Sequence, residues 1–239
     1  MDEFEARVIA GIGDKDLWKL RSATAIKTGR GFTAAGVLLY PEMEARRPIE
    51  KAVTAVSILL QMAGELVASS GMLLSTGSHY AGAALLRQVV EIEYLTWTFK
   101  EKHRIAEEWL ESTAEGRMKA FTPSQLRKTS KGRFLSKDYS NHCEEGGHPV
   151  PRGATLLGGA NIPGAQVLLV DLITHSWRTW DQVLAWARDV PEVRPALELC
   201  ASRVYPRLKK WGNIDPIYAL MVERHPDPDR FGQPLSNET

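Results

Sequence analysis

The sequence predicts an all-α protein, a helical bundle built on a central long-helix hairpin. Apolar residues recur at helical spacing through most of the 239 residues, and no segment shows the strand-turn-strand pattern of a β-hairpin. Glycines and prolines fall mainly between the periodic segments, where they punctuate helices. Hydrophobic residues make up 44% and charged residues 25% of the chain, which is ordinary for a globular domain of this size and sufficient for a real core.

Three short helices are expected ahead of the hairpin, in an N-terminal segment of residues 1–47. The first two begin at aspartates, which are favoured N-cap residues. Glycines interrupt the pattern before the third, which Pro41 would end. The predicted helices cover residues 2–10, 14–27 and 33–40, with a break at Gly29-Arg30-Gly31.

The predicted hairpin joins a helix over residues 48–74 to a helix over residues 79–102. Pro48 suits the first turn of a helix, and the short connection favours antiparallel packing of the two helices. The first helix is apolar enough to resemble a membrane span. However, polar residues recur every four positions along it, on one helical face, which favours a bundle helix. Those residues are Ser57, Gln61, Glu65 and Ser69, and the side chains expected to be buried are Leu59, Leu66, Leu85, Leu86 and Val89.

Further helices continue the predicted bundle core, which extends from residue 48 to residue 211. Thr113 and the pair Thr122-Pro123 are expected to begin two of them, as N-cap residues. A glycine- and proline-rich loop is expected over residues 146–164, and a C-terminal tail, with a short helix near Tyr218, over residues 212–239. The remaining helices are predicted over residues 105–112, 113–121, 136–145 (weakly), 165–188 and 193–211.

Charge and cysteine content set broad limits on function. The 30 basic and 29 acidic residues give a net charge of +1, so overall charge argues neither for nor against a polyanionic partner. The two cysteines, Cys143 and Cys200, cannot form a disulfide framework, which favours a reducing compartment. The N-terminal residues MDEFEAR lack the order of a signal peptide, and we therefore expect a cytoplasmic protein without a membrane partner.

The segment from Tyr139 to Pro149 concentrates groups that can carry chemistry. This segment includes His142, Cys143 and His148, together with two glutamates. Histidine acts as a general acid or base near neutral pH, or as a metal ligand. The alternative interpretation is a helix end, in which the Gly-Gly pair forms the C-terminal cap.

Two helices each carry a pair of charged residues four positions apart. Arg87 and Glu91 would lie on one face of the second hairpin helix, where the arginine could clamp a phosphate or carboxylate. Asp171 and His175 would likewise share a face, where the carboxylate could fix the tautomer of the imidazole. The alternative for Arg87 and Glu91 is an ordinary ion pair on a solvated face. The alternative for Asp171 and His175 is an ordinary helix surface.

Basic residues dominate the stretch between residues 117 and 137, which contains no acidic residue. Phe121 and Phe134 interleave with them, and basic residues beside aromatic ones suit a phosphate backbone with stacked bases. A solvated connector is the alternative. The basic residues are Arg117, Lys119, Arg127, Lys128, Lys131, Arg133 and Lys137, which we call the basic segment.

Residues 79–94, HYAGAALLRQVVEIEY, resemble a pattern found in uncharacterised bacterial helical proteins of the DUF5677-like group. Their alanine-rich helix start is followed by arginine and, one turn later, glutamate. Ser140 and His148-Pro149 match the Ser and His-Pro that come downstream in that group. The group is distantly similar to HEPN proteins, which are helical, often dimeric and in many cases cut RNA. The HEPN ribonuclease signature, an arginine four to six residues before a histidine, has no match in this chain.

The resemblance implies the leading hypothesis, a HEPN-like protein that binds or cleaves RNA in bacterial stress or phage defence, with a homodimer as the expected assembly. In the catalytic version His142 or His148 would act as general base toward a ribose 2′-hydroxyl. Arg87 would stabilise the developing charge, Glu91 would hold Arg87, and the basic segment would hold the strand. That version needs no cofactor.

Two other hypotheses remain open. One is a metal-dependent hydrolase with a glutamate, Glu65 or Glu91, nearby. The other is a non-enzymatic interaction module, in which the polar groups only join helices. The metal ligands of the hydrolase would be His142, His148, Asp171 and His175.

Overall fold

The computed structural model describes residues 3–40, 48–130, 132–159 and 161–224, and every regular element in them is helical. The all-α prediction is therefore confirmed. Shorter π-helical and 3-10 segments occupy Cys143–Gly147, Pro151–Gly159 and Ala187–Asp189. The α-helices are α1 (Glu3–Gly13), α2 (Lys15–Leu39), α3 (Pro48–Ser75), α4 (His79–Glu101), α5 (Arg104–Glu111), α6 (Ala114–Ala120), α7 (Pro123–Thr129), α8 (Ser136–His142), α9 (Ile162–Trp186), α10 (Arg194–Ile214) and α11 (Pro216–Arg224).

Four long helices form the centre of the bundle. Helices α3 and α4 match the two predicted hairpin helices and pack against each other, while α2 lies along α3 and α9 lies along α4. Leu59, Leu86 and Val89 are buried as predicted, whereas Leu66 and Leu85 are half-buried at the margin of the core. The aromatic part of the core includes Trp180, Trp186, Trp211, Tyr94, Phe32 and Phe99, all fully buried.

The break predicted at Gly29-Arg30-Gly31 is wrong, because α2 runs without interruption for 25 residues. Its glycines allow close approach to neighbouring helices. A Cβ atom on Gly29 would lie 2.8 Å from the carbonyl oxygen of Gly64 in α3, and one on Gly36 would lie 2.7 Å from the carbonyl oxygen of Ser57. The hydroxyl of Ser57 donates a hydrogen bond to the Gly36 carbonyl at 2.7 Å. Helix α2 is thus a core helix, and the expected series of short helices does not describe it.

The short helix predicted near Tyr218 is confirmed as α11, but the assignment of residues from 212 onward to a tail needs correction. Helix α10 continues through Gly212 to Ile214, and α11 follows as far as Arg224. Ile217, Tyr218 and Leu220 are buried, because α11 covers the ends of α1 and α10. Hydrophobic burial therefore extends the packed fold beyond residue 211. Residues 225–239 lie outside the described part of the chain.

Three of the predicted N-caps are confirmed, whereas Asp2, predicted to begin the first helix, lies outside the described residues. Asp14 accepts hydrogen bonds from the backbone amides of Asp16 and Leu17, and Thr113 accepts one from Gly116. Thr122 caps α7 ahead of Pro123. These contacts fix the start of each helix by satisfying amides that have no partner within the helix.

One helix is long and apolar enough to cross a membrane, the part of α3 from Glu50 to Ser75, and half of its most apolar window is buried inside the fold. A second span would be counted only if Pro151–Gly159 and Ile162–Asp189, which meet at an angle of 100°, were taken as one bent segment. The core helix of a bundle passes the same test, so this finding is weak evidence for a membrane.

Candidate functional site

Three helices bring two histidines and three carboxylates together inside the bundle. Helix α8 supplies Asp138 and His142, and α9 supplies Asp171 and His175, each pair four residues apart and therefore on one helical face. Helix α4 supplies Glu93, which is buried between them and the core. We call these five residues the His–Asp cluster.

His175 lies at the centre of the cluster, between two carboxylates. Its Nδ1 atom is hydrogen-bonded to Oε2 of Glu93, and its Nε2 atom lies 3.3 Å from Oδ1 of Asp171. Burial would lower the pKa of His175, but the negative charges of Asp171 and Glu93 outweigh it and raise that pKa above its ordinary value. For Asp171, burial raises the pKa, yet the positive charges of His175 and His142 bring it below its ordinary value.

His142 approaches the same aspartate from the other side. Its Nε2 atom lies 3.5 Å from Oδ2 of Asp171 and 3.8 Å from Oδ1 of Asp138. The two imidazole rings are nearly perpendicular, with centroids 5.3 Å apart. Only 5% of the His142 side chain is exposed, and its Nε2 atom has no hydrogen-bond partner among the described residues. A buried imidazole nitrogen that faces two carboxylates without a hydrogen bond to either needs an explanation.

The separations within the cluster are compatible with a bound metal ion. Ligand atoms of Asp138, His142 and His175 all lie within 4.8 Å of one another. Ligands about 2.0–2.1 Å from a tetrahedral zinc ion lie roughly 3.3 Å from one another, whereas N–H···O bonds are about 2.7–3.2 Å long. The contacts of Asp171 with His175 and His142, at 3.3 and 3.5 Å, fall near the first value. In other proteins a metal-ligating histidine is fixed by a hydrogen bond between its second ring nitrogen and a carboxylate. The Glu93–His175 hydrogen bond is of this kind.

A second group of polar side chains surrounds Tyr139 of α8. Arg87 and Glu91 form an ion pair at 2.6 Å, and the Tyr139 hydroxyl donates a hydrogen bond to Glu91 at 2.8 Å. The guanidinium carbons of Arg87 and Arg127 lie 5.8 and 4.5 Å from the centroid of the Tyr139 ring. Burial, together with the hydrogen bond to Glu91, raises the pKa of Tyr139, so this phenol is a hydrogen-bond donor rather than a base.

The structure brings several of the predicted site residues together. Arg87 packs against the segment that follows His142, since a Cβ on Gly147 would lie 2.3 Å from Cδ of Arg87 and 3.1 Å from the His142 carbonyl oxygen. His148, in contrast, has an exposed side chain, and only its backbone carbonyl receives a hydrogen bond, from Tyr80 at 3.2 Å and from Val150. Glu65 is exposed on α3.

The basic segment does not form a uniform surface. Arg127 and Arg133 are half-buried, and Lys119 forms an ion pair with Glu115 at 2.6 Å. Arg117 donates to the backbone carbonyl of Ser112. Lys131 lies outside the described residues. The exposed members are Arg117, Lys119, Lys128 and Lys137.

Sequence reasoning overlooked Glu93, Asp138 and Tyr139. One signal was available, because Asp138-x-x-x-His142 repeats the spacing of Asp171-x-x-x-His175. Two aspartate–histidine pairs on different helices predict a shared site better than either pair alone. Glu93 offered no such signal, since its partner comes from a helix more than seventy residues away.

The fold and the cluster therefore define a helical protein with a buried histidine–carboxylate centre. No family model, curated protein or solved structure matches this chain. The resemblance to the DUF5677-like group and to HEPN proteins stays a prediction.

Proposed function

We propose that the chain is a metal-dependent hydrolase whose His–Asp cluster binds a zinc ion. The observation that supports this proposal is the meeting of two aspartate–histidine pairs, from α8 and α9, at separations of 3.3 to 3.8 Å. Nitrogen and carboxylate ligands are those that catalytic zinc sites use, commonly three from the protein with one position left for water or substrate.

Nε2 of His142 and Nε2 of His175 would hold the ion together with the carboxylate of Asp171, which lies 3.5 and 3.3 Å from them. Glu93 holds the His175 ring through Nδ1 and thereby directs Nε2 toward the ion. The chemistry that zinc would supply when bound to these residues is Lewis-acid activation of a water molecule near neutral pH. The Nε2 atom of His142 has no hydrogen-bond partner within the described ranges. In the zinc-bound protein this atom would bind the ion.

Asp138 differs from the three ligands in its exposure, because 49% of its side chain is accessible to solvent, against 17% for Asp171. We assign it the role of general base. Its carboxylate takes a proton from the attacking water and returns it to the leaving group, so that one water is consumed for each ester bond cleaved.

Metal analysis of the full chain tests the proposal. We expect about one zinc ion per chain after equilibration and dialysis, and cobalt substitution should give the visible absorption of a tetrahedral site. His142→Asn should abolish this binding. His148→Asn is the matched control, because His148 lies in the same segment but is exposed, and it should bind zinc like the wild type.

Hydrolysis is measured with chromogenic 4-nitrophenyl esters of carboxylic and phosphoric acids. Activity should be lost with a chelator and return with zinc. Asp138→Asn should retain zinc and lose activity, which separates the base from the ligands. A wild-type chain that holds no zinc, or a His142→Asn chain that holds as much as the wild type, contradicts the proposal.

RNA binding is the second candidate, and the exposed basic residues of α6, α7 and α8 support it. Because counterions are released from the RNA backbone, binding should weaken steeply with salt concentration. Replacement of Arg127 and Lys128 by alanine should flatten that dependence. RNA cleavage that survives a chelator but not His142→Asn would favour this candidate over the metal-dependent hydrolase.

A further inference from the structure

We propose that Arg127, held on the ring of Tyr139, binds a phosphate group of the substrate, which makes the chain a phosphoesterase. The proposal deepens the metal-dependent hydrolase and rests on it, because the phosphate group would be the one attacked at the His–Asp cluster. Arg127 is the residue that binds the phosphate. Arg87 and Glu91 are positioning residues, which hold the Tyr139 ring.

Arg127 is a partly desolvated cation that forms no ion pair with a carboxylate of the described residues. Its side chain is half-buried, and its Nε and Nη1 atoms are shielded from solvent and have no hydrogen-bond partner among the residues that the structure describes. The contact with Tyr139, 4.5 Å from the guanidinium carbon to the ring centroid, stabilises the cation through the ring face. A charge removed from water in this way attracts an anion more strongly than a solvated lysine does.

Arg87 lies on the same ring but is already neutralised. Its Nη2 atom donates to Glu91 at 2.6 Å, and Glu91 also accepts the Tyr139 hydroxyl hydrogen bond. This chain of contacts fixes the ring that carries Arg127. Of the two arginines on Tyr139, Arg127 is thus the one whose charge remains for a ligand.

Arg127 lies on α7 and contacts α8 through the ring of Tyr139. Asp138 precedes Tyr139 directly, and His142 follows one turn later. On α4, Tyr94 directly follows Glu93 of the cluster. Its ring centroid is 6.1 Å from that of Tyr139. Arg127 therefore contacts the residue that directly follows the half-exposed base, Asp138.

Phosphate fits this arrangement better than carboxylate does. A phosphate ester presents up to three terminal oxygens, so the arginine fork can take one or two of them while another faces the metal ligands. A carboxylate has only two oxygens, so it could offer at most one to the arginine while the other faces the metal ligands. The arginine would also offset the charge that develops on the phosphorus oxygens as water attacks and the ester oxygen leaves.

Titration calorimetry with inorganic phosphate tests the site, on the full chain with and without zinc. Arg127→Gln should weaken phosphate binding about tenfold or more, as expected for loss of a charge-assisted contact. Lys128→Gln is the matched control, because it removes the same charge from an exposed neighbour on α7, and its affinity should equal that of the wild type. Thermal unfolding establishes that both variants are folded.

Unchanged phosphate affinity in Arg127→Gln overturns the proposal, and so does an equal loss in Lys128→Gln, which would indicate diffuse surface charge. A short single-stranded RNA that displaces phosphate and is weakened equally by both variants would also overturn it, in favour of a nucleic-acid surface. Zinc content separates this proposal from the one on which it rests. Arg127-dependent phosphate binding in a chain that holds no zinc would support the phosphate site and contradict the metal-dependent hydrolase.

Discussion

Glu93 shows how much one buried side chain can determine in this fold. Only 2% of it is exposed, and it makes its hydrogen bond with Nδ1 of His175. Removal of such a partner weakens metal binding because the ligating ring loses its orientation and basicity. Glu93→Gln should therefore lower zinc affinity roughly 10- to 100-fold, as measured by competition with a chromophoric chelator.

Glu91→Gln is the control for this prediction. Glu91 lies two residues away on α4, but it is bound to Arg87 and Tyr139 rather than to a histidine. Its substitution should leave zinc affinity unchanged. Equal affinities for wild type and Glu93→Gln would show that Glu93 does not orient a metal ligand.

Asp181 gives a pH-dependent contribution to stability, away from the His–Asp cluster. Burial raises its pKa to about 6, although the hydrogen bond from the Tyr205 hydroxyl opposes the shift. Because the folded pKa exceeds the ordinary value of 3.8, the contribution is present below that value and is lost as pH rises through 6. Asp181→Asn should thus become more stable relative to the wild type between pH 4 and pH 7.

Urea unfolding at the two pH values measures this difference. Asn keeps an oxygen for the Tyr205 hydroxyl but carries no charge, so the variant isolates the ionisation. Asp16→Asn, at an exposed position at the start of α2, should show no such trend. A constant difference between Asp181→Asn and the wild type would mean that Asp181 ionises as readily as a solvated aspartate.

At the scale of elements, the contact between α2 and α3 depends on residues without side chains. A Cβ on Gly64 would lie 2.1 Å from Oγ1 of Thr33, 2.7 Å from its backbone nitrogen and 2.9 Å from the Gly29 carbonyl. Because two of these atoms belong to the backbone, the helices would have to separate. Gly64→Ala should lower the free energy of unfolding by about 1–3 kcal/mol, as overpacking does.

Gly13→Ala, at the end of α1, provides the comparison, since an added Cβ there meets nothing within 4 Å. It should be neutral or slightly stabilising, because alanine restricts the unfolded chain more than glycine does. Chemical denaturation of both variants tests the pair. Similar stabilities would show that α2 and α3 are not held at close distance.

The elements also show what the sequence could predict. Helices α3 and α4 were predictable because a periodic apolar pattern, Pro48 and a short connection are local signals. Gly29 was misread because its role depends on Gly64, a residue of another helix, and no local rule distinguishes a contact glycine from a helix break. The same limit applies to the site. Asp171 and His175 are one turn apart and could be paired from spacing, whereas Glu93 and His175 meet only through the packing of α4 on α9.

At the scale of the whole molecule, one buried ion pair joins the two ends of the chain. Arg21 of α2 binds both carboxylate oxygens of Asp215, at 2.6 and 2.8 Å, and both side chains are fully buried. Arg21 also donates to the Gly11 carbonyl at 2.9 Å and to Gln166 of α9. Asp215, between α10 and α11, accepts the indole N–H of Trp211 at 2.7 Å. Five helices thus meet at one pair of charges.

Removal of either charge should therefore destabilise the entire bundle. Arg21→Met leaves the Asp215 carboxylate buried without its cation, which costs about 3–5 kcal/mol in buried pairs of this kind. The double variant Arg21→Met with Asp215→Asn removes both charges, so it should be more stable than Arg21→Met alone, and the two substitutions should not be additive. Urea unfolding followed by tryptophan fluorescence measures all the variants, since Trp211 contacts Asp215 directly. A loss below about 1 kcal/mol for Arg21→Met, or strict additivity in the double variant, would show that the two charges do not stabilise the fold as a pair.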